Sequence, residues 1–247
     1  FEKLFYSLYE YPEIYIKIIR AIAKKANGIS RDDLIQSIKA SDGGYLNIML
    51  KSLEEAGFVS SFLPMEHTRR GVHYRLIDEY VLFYLNWIEP LHKKTRITTT
   101  TSYWTKVIHT AAWYAWAGFA FEAVCWKHVD AIKHTLGLNK IHVNWGDWRY
   151  APEKAKKGAQ IDLVLDRDDD CITLCEMKHT ENKFVITKAY SKQLESKQKV
   201  YKEQTRTKKQ IQWCLITNNG ASQNTYFKKL IQHVVILDDL FQEGEAS

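Results

Sequence analysis

Gly158-Ala-Gln-Ile-Asp162-Leu-Val-Leu-Asp-Arg167 and Cys171-Ile-Thr-Leu-Cys-Glu176-Met-Lys178 flank Asp168-Asp169-Asp170, and the reading of this stretch decides the fold. The two flanks are apolar and rich in strand-forming residues, and the acidic triplet between them is a turn signal, so the stretch predicts a β-hairpin. Side chains alternate along a strand, which sends Glu176 and Lys178 one way and Met177 the other. If the turn closes near Asp168, Asp162 falls opposite Glu176 to within one residue of register. An Asp and a Glu converging in this way form a hard oxygen-donor pair suited to Mg2+ or Mn2+, with Lys178 beside a cation-bound water.

Outward from the hairpin, the chain alternates between helical and extended patterns. Residues Thr187–Tyr201 read as a helix, Ile211–Thr217 as a strand, Gln223–Ile231 as a helix and Val234–Leu237 as a last strand. Ahead of the hairpin, Trp104–Leu136 reads as a long aromatic helical region, broken in places, that carries Glu122. A leading helix followed by strand, strand, helix, strand, helix and strand predicts an α/β (α+β) core with a mixed sheet and flanking helices. Trp145, Trp148 and Tyr150 fit core packing better than base stacking.

The N-terminal third has a different rhythm. Helical spacing of Ile14, Ile18, Ile19 and Ile22 predicts a helix over Glu13–Lys25 that ends at Asn27-Gly28. Ser30 is placed to cap a second helix, Arg31–Ile38, with Asp32 and Asp33 in its first turn, where they favour the helix dipole. A third helix, Tyr45–Ala56, turns Leu46, Leu50 and Leu53 inward, and Phe58–Leu63 with Val72–Ile77 can pair as a ribbon. Three helices and a ribbon in this order make a winged helix-turn-helix, in which the third helix can enter a major groove. Its outer face would present Tyr45, Asn47 and Lys51, and the wing tip Arg69 and Arg70. The same module also serves elsewhere as a packing element, because fold alone does not fix function.

The order Asp162, hairpin, Glu176-x-Lys178 resembles the PD-(D/E)XK superfamily of nucleases, which share a restriction-endonuclease-like core. The resemblance implies that Asp162 and Glu176 hold one or two metal ions and that Lys178 orients or helps deprotonate the attacking water. It further implies that Glu122 completes the acidic cluster and that Gln193 or Lys197 supplies a polar residue from the following helix. Ile161 stands where the family carries its proline. The stretch Tyr74-Arg-Leu-Ile-Asp78 leading into the aromatic segment up to Pro90 is similar to the junction in archaeal-type AAA+ ATPases, where an ATPase core precedes a winged helix and a nuclease-like domain. The two resemblances imply a winged helix over 1–92, a linker over 93–103 and a nuclease-like domain over 104–247. No Gly-x-x-x-x-Gly-Lys-Ser/Thr loop occurs here. ATP would therefore bind only in a core preceding this sequence, which would be a partner of these two parts along with nucleic acid, DNA in the first instance.

With 247 residues, 45% of them hydrophobic, the composition is that of a globular protein. The net charge of +6 is concentrated: Lys183, Lys188, Lys192, Lys197, Lys199, Lys202, Arg206, Lys208 and Lys209 face only Glu195 and Glu203 in the same span. A basic run next to a candidate metal site suits a phosphate backbone, and within it Lys192, Lys197, Lys199 and Lys202 are the expected contacts. A solvated helix face is the competing explanation. Cys125, Cys171, Cys175 and Cys214 lack zinc-site spacing and read as buried reduced thiols of a cytoplasmic protein. His128, His134 and His142 make no zinc-protease pattern, and no nucleophile elbow is present. The longest apolar run, Ala111–Trp126, is interrupted by Glu122 and is too short for a membrane span. An oligomer is compatible with everything above, as is a non-catalytic interaction module built on the same fold.

Overall fold

The structure is a computed structural model that describes residues 1–25, 28–39, 43–63, 65, 71–94, 101–150 and 158–242, without the side chains of 92–94, 101 and 102. Two compact units result: Phe1–Leu63 with Arg70–Val124, and Pro64–Arg69 with Cys125–Ser247.

In the first unit, α1 (Glu2–Leu8), α2 (Pro12–Ala23), α3 (Arg31–Ile38) and α4 (Gly44–Glu55) surround a three-stranded antiparallel sheet. Its order is β1 (Ile29–Ser30), β3 (His73–Leu76), β2 (Val59–Phe62). Phe5, Ile18, Ile19, Ile22, Leu34, Leu50 and Leu53 form the core, which is the apolar stripe expected from helical spacing. Ser30 Oγ accepts the Asp33 N–H at 3.1 Å and starts α3 at the residue the capping pattern predicts. Gly28 sits at φ +84°, and a Cβ there would come within 2.8 Å of the Phe62 ring and 3.2 Å of the Tyr74 carbonyl oxygen. Backbone conformation and close packing thus both require glycine.

Asp78 Oδ1 accepts the Val81 N–H at 2.7 Å and caps α5 (Glu79–Phe83). A π-helical turn, Tyr84–Ile88, and α6 (Glu89–Lys94) continue from it. Then come α7 (Thr101–Val107), α8 (Ala111–Lys127) and α9 (Val129–Thr135), so the long aromatic region is indeed broken. Ring contacts of Phe83 with Trp104 (5.4 Å) and of Trp87 with Trp113 (5.4 Å) tie α7 and the start of α8 to the first unit. The division between the units accordingly falls inside α8, at Val124/Cys125, and not at the linker expected over 93–103, of which 95–100 lie outside the described residues.

The second unit is built on a five-stranded mixed sheet in the order β4 (Val143–Tyr150), β5 (Ala159–Arg167), β6 (Cys171–Lys178), β7 (Gln210–Thr217), β8 (Ile231–Ile236). The β4–β5–β6 part is antiparallel and the β6–β7–β8 part parallel. Helices α10 (Lys188–Thr205) and α11 (Thr225–Leu230) make the crossovers between the parallel strands. Leu194 and Tyr201 of α10 pack with Val164, Ile172, Leu174, Trp213 and Leu215 of the sheet. Among the described residues no helix is long and apolar enough to cross a membrane.

Candidate functional site

The hairpin forms as the sequence predicts, with one local departure. Its register runs Asp166↔Ile172 through Leu163↔Cys175 and stops one step short of pairing Asp162 with Glu176. On the other side of β5, Gly146↔Val164 is followed by Trp148↔Ile161, so three steps of β5 face two of β4. This is a β-bulge at Asp162–Leu163, a device that re-aims side chains where strands diverge. The bulge frees the Asp162 carboxylate to lie along β6, where Oδ2 accepts the Met177 N–H at 2.9 Å.

Glu176, 2% exposed, is held from three sides. Lys178 Nζ lies 2.8 Å from Oε1, the Tyr190 hydroxyl donates to the same oxygen at 2.7 Å, and Lys197 Nζ donates to Oε2 at 2.6 Å. Tyr190, Leu194 and Lys197 stand at i, i+4 and i+7 of α10 and therefore share one stripe, in which Leu194 anchors in the core while its neighbours reach Glu176. Thr187 Oγ1 accepts the Tyr190 N–H at 3.2 Å and caps the helix at this point. The connection from β6 to α10 is itself pinned. Phe184 N–H donates to the Gly220 carbonyl at 2.9 Å, Asn224 Nδ2 donates to the Ile186 carbonyl at 2.9 Å, and the Phe184 ring meets the Tyr190 ring edge-on at 5.1 Å.

The two carboxylates have opposite electrostatics. Burial, followed by the negative charge of Glu176, raises the Asp162 pKa to about 6, against the opposing pull of Lys178, the Met177 N–H and Lys197. Burial acts to raise Glu176 as well, but Lys178 and Lys197 outweigh it and hold that carboxyl below its ordinary range. Burial and the charge of Glu176 push the Tyr190 phenol up, so Tyr190 remains a hydrogen-bond donor. Two carboxyl groups driven apart in this manner, one ionised and one poised near neutrality, are the pattern of acid–base and cation sites.

The other residues expected from sequence lie as follows. Glu122 belongs to the first unit, where it lines a cavity of about 300 Å³ with Arg75, Trp116 and Phe119. Gln193 and Lys192 are exposed on α10 and line a second cavity, in the second unit, together with Lys197. Lys199 forms an exposed pair with Glu203 at 3.9 Å, and Lys202 is exposed on the same helix. On α4, Tyr45 is exposed, Asn47 Oδ1 accepts from Arg31 Nε at 3.1 Å, and Lys51 pairs with Glu55 at 3.7 Å. Arg69 and Arg70 lie outside the described residues. Tyr190 is the member that sequence reasoning missed; its seven-residue spacing from Lys197 was the available signal. Trp148 is 3% exposed and packs edge-on against Tyr201, as a core residue. All four cysteines are free and buried, and burial together with a hydrogen bond to Cys214 raises the Cys175 thiol well above its ordinary value.

Mg2+ is commonly held by one or two carboxylates, with water and substrate phosphate completing its shell. Asp162 and Glu176 suit that kind of site. Among the described residues no three His, Cys, Asp or Glu side chains are grouped to hold a metal ion, so an all-protein cage is not what they form.

No family model matches the chain, and no curated protein matches it. Among solved structures it is similar to the crystal structure of protein VC1899 from Vibrio cholerae, at 12% identity and a TM-score of 0.32. The alignment covers 96% of this chain and 49% of that one, so the chain spans about half of that protein's length.

Proposed function

We propose that the second unit is a PD-(D/E)XK-type nuclease domain that hydrolyses phosphodiester bonds of nucleic acid with Mg2+ or Mn2+. In the same proposal the first unit contains a winged helix, and both belong to the C-terminal part of an archaeal-type AAA+ ATPase. The observation that carries it is the bulge in β5, which sets the Asp162 carboxylate on the Met177 amide beside Glu176 and Lys178. The three-stranded sheet with α2, α3 and α4 is compatible with the winged helix, and the five-stranded mixed sheet with α10 supports the nuclease-like core.

A divalent cation at Asp162 and Glu176 would lower the pKa of a bound water and offset charge on the transition state. The residues of this chain supply the rest. Asp162, whose pKa burial raises to about 6, would be one holder of such a cation, which would favour its ionised form, while its Oδ2 accepts the Met177 N–H. Lys178 reaches Glu176 at the end of β6, where its ammonium can orient an attacking water and offset negative charge developing on the phosphate. Tyr190 fixes the Glu176 carboxylate by donating to Oε1.

A second reading draws on the fact that both Glu176 oxygens already have cationic partners. In it the network is a rigid structural element of a non-catalytic interaction module of the ATPase. Cleavage of labelled DNA and RNA by the purified chain in Mg2+ or Mn2+ separates the two. The nuclease reading expects metal-dependent cleavage that is abolished in Glu176→Ala and Lys178→Ala. Cleavage unchanged in both variants, or absent from the wild type, refutes it.

A further inference from the structure

The two oxygens of the buried Glu176 carboxylate are held differently. Oε1 has two partners, the Lys178 ammonium 2.8 Å away and the Tyr190 hydroxyl at 2.7 Å. A carboxylate oxygen offers about two lone pairs, so Oε1 is fully engaged. Among the described residues Oε2 has one partner, the Lys197 ammonium at 2.6 Å. A cation held by Glu176 must therefore come to Oε2, on the side that Lys197 occupies. Charge points the same way. With both carboxylates ionised, Lys178 and Lys197, which act on Asp162 as well as on Glu176, neutralise the pair. A divalent cation added with both lysines in place would leave surplus positive charge in a buried site, where unpaired charge is costly. Release of one ammonium relieves it. Lys178 also lies against the Tyr190 ring, 5.8 Å from its centre, whereas Lys197 runs along an open depression where Gly158 and Ala159 leave room for its side chain to move.

We propose that Lys197 is the resident counter-ion of this site: it neutralises Glu176 while no metal is bound and gives up Oε2 to a divalent cation, moving out into the depression. The proposal rests on the reading of Asp162 and Glu176 as a cation site and adds how that site is filled, by exchange against the chain's own ammonium. Lys178 and Tyr190 stay on Oε1 throughout and keep the carboxylate oriented. Because Lys197 must leave, the site takes up a cation more weakly than its two carboxylates alone would.

Two measurements on the intact chain test it. In isothermal titration with Mn2+, Lys197→Gln, which keeps a donor for Oε2 without the charge, should bind about tenfold or more tightly than wild type, the scale on which one charge ~4–6 Å away shifts a neighbouring equilibrium. Lys197→Arg, which keeps the charge, should bring no gain. Brief acetylation with acetic anhydride, read by mass spectrometry, then reports where the ammonium is. Without Mn2+, Lys197 should react slowly beside the exposed Lys192, and with Mn2+ its rate should rise towards that of Lys192, which itself stays constant. Mn2+ affinity no higher in Lys197→Gln than in wild type, or Lys197 equally protected with and without Mn2+, overturns the proposal. The two readings fail separately. Mn2+ binding that is lost in Asp162→Ala, with Lys197 still protected, sustains the cation site and sinks the exchange. Tighter binding by Lys197→Gln and exposure of Lys197 by Mn2+, without cleavage of DNA or RNA, sustains the exchange and sinks the nuclease. Absence of Mn2+ binding in both wild type and Lys197→Gln overturns both.

Discussion

Replacing Asp162 by Asn is expected to stabilise the protein at neutral pH. Asp162 is 8% exposed, and its pKa rises from 3.8 to about 6 through burial and the neighbouring charge of Glu176. A carboxyl whose folded pKa lies above its unfolded value contributes stability below about pH 4 and loses it as pH rises towards 6. At ~1.4 kcal/mol for each pH unit, the ionised group costs the fold about 3 kcal/mol above that window. Asn keeps an oxygen for the Met177 N–H and removes the charge. Urea unfolding at roughly pH 4 and pH 7.5 should thus give nearly equal stabilities for Asp162→Asn and wild type at the lower value, and a gain of up to about 3 kcal/mol at the higher. A variant less stable than wild type at pH 7.5, or equally stabilised at both values, would refute the reasoning. Retaining an unstable anion in this place is what a working site requires and a structural one does not.

Lys197→Met should cost ~1.5–3 kcal/mol at neutral pH by leaving Glu176 Oε2 without its donor. Because Glu176 titrates below its ordinary value, that cost should shrink as pH falls through its folded pKa, a trend urea unfolding can follow. Thr187→Ala should remove the α10 cap and cost about 1 kcal/mol, with hydrogen exchange rising first at the Tyr190 amide. Changing Lys192, Lys199 and Lys202 together to Ala should flatten the slope of log affinity against log salt for a single strand by about 2. An unchanged slope would leave the basic run as a solvated face.

Much of this architecture was legible because local signals agreed. Helix α3 occupies the Arg31–Ile38 span that Ser30, Asp32 and Asp33 mark, and β6 occupies Cys171–Lys178, bounded on one side by the acidic turn. Strand β4 was not legible: Gly146 and Asp147 interrupt Val143–Tyr150 as turn residues do, and only pairing with β5, a non-local contact, makes the segment extended. The same bulge explains the site. Sequence placed Asp162 opposite Glu176 to within one residue, in keeping with the Leu163↔Cys175 register, but did not show that the β5–β6 ladder ends at Leu163 and that a backbone amide holds the carboxylate. Tyr190 escaped notice because its role depends on how α10 lies over β6, which periodicity alone does not specify. The aromatic region gave helices correctly, but ring packing of Trp104 and Trp113 on Phe83 and Trp87 assigned their first part to the other unit.

Isothermal titration of Mn2+ into the 247-residue chain, and into Asp162→Ala and Glu176→Ala, tests the central claim most directly. The expected result is a binding heat in the wild type that disappears in both variants. It should be accompanied near pH 6 by proton release, seen as a dependence on buffer ionisation heat, since the cation ionises Asp162. Absence of Mn2+ binding by the wild type, or binding that survives both substitutions, would contradict the claim that these carboxylates form a cation site.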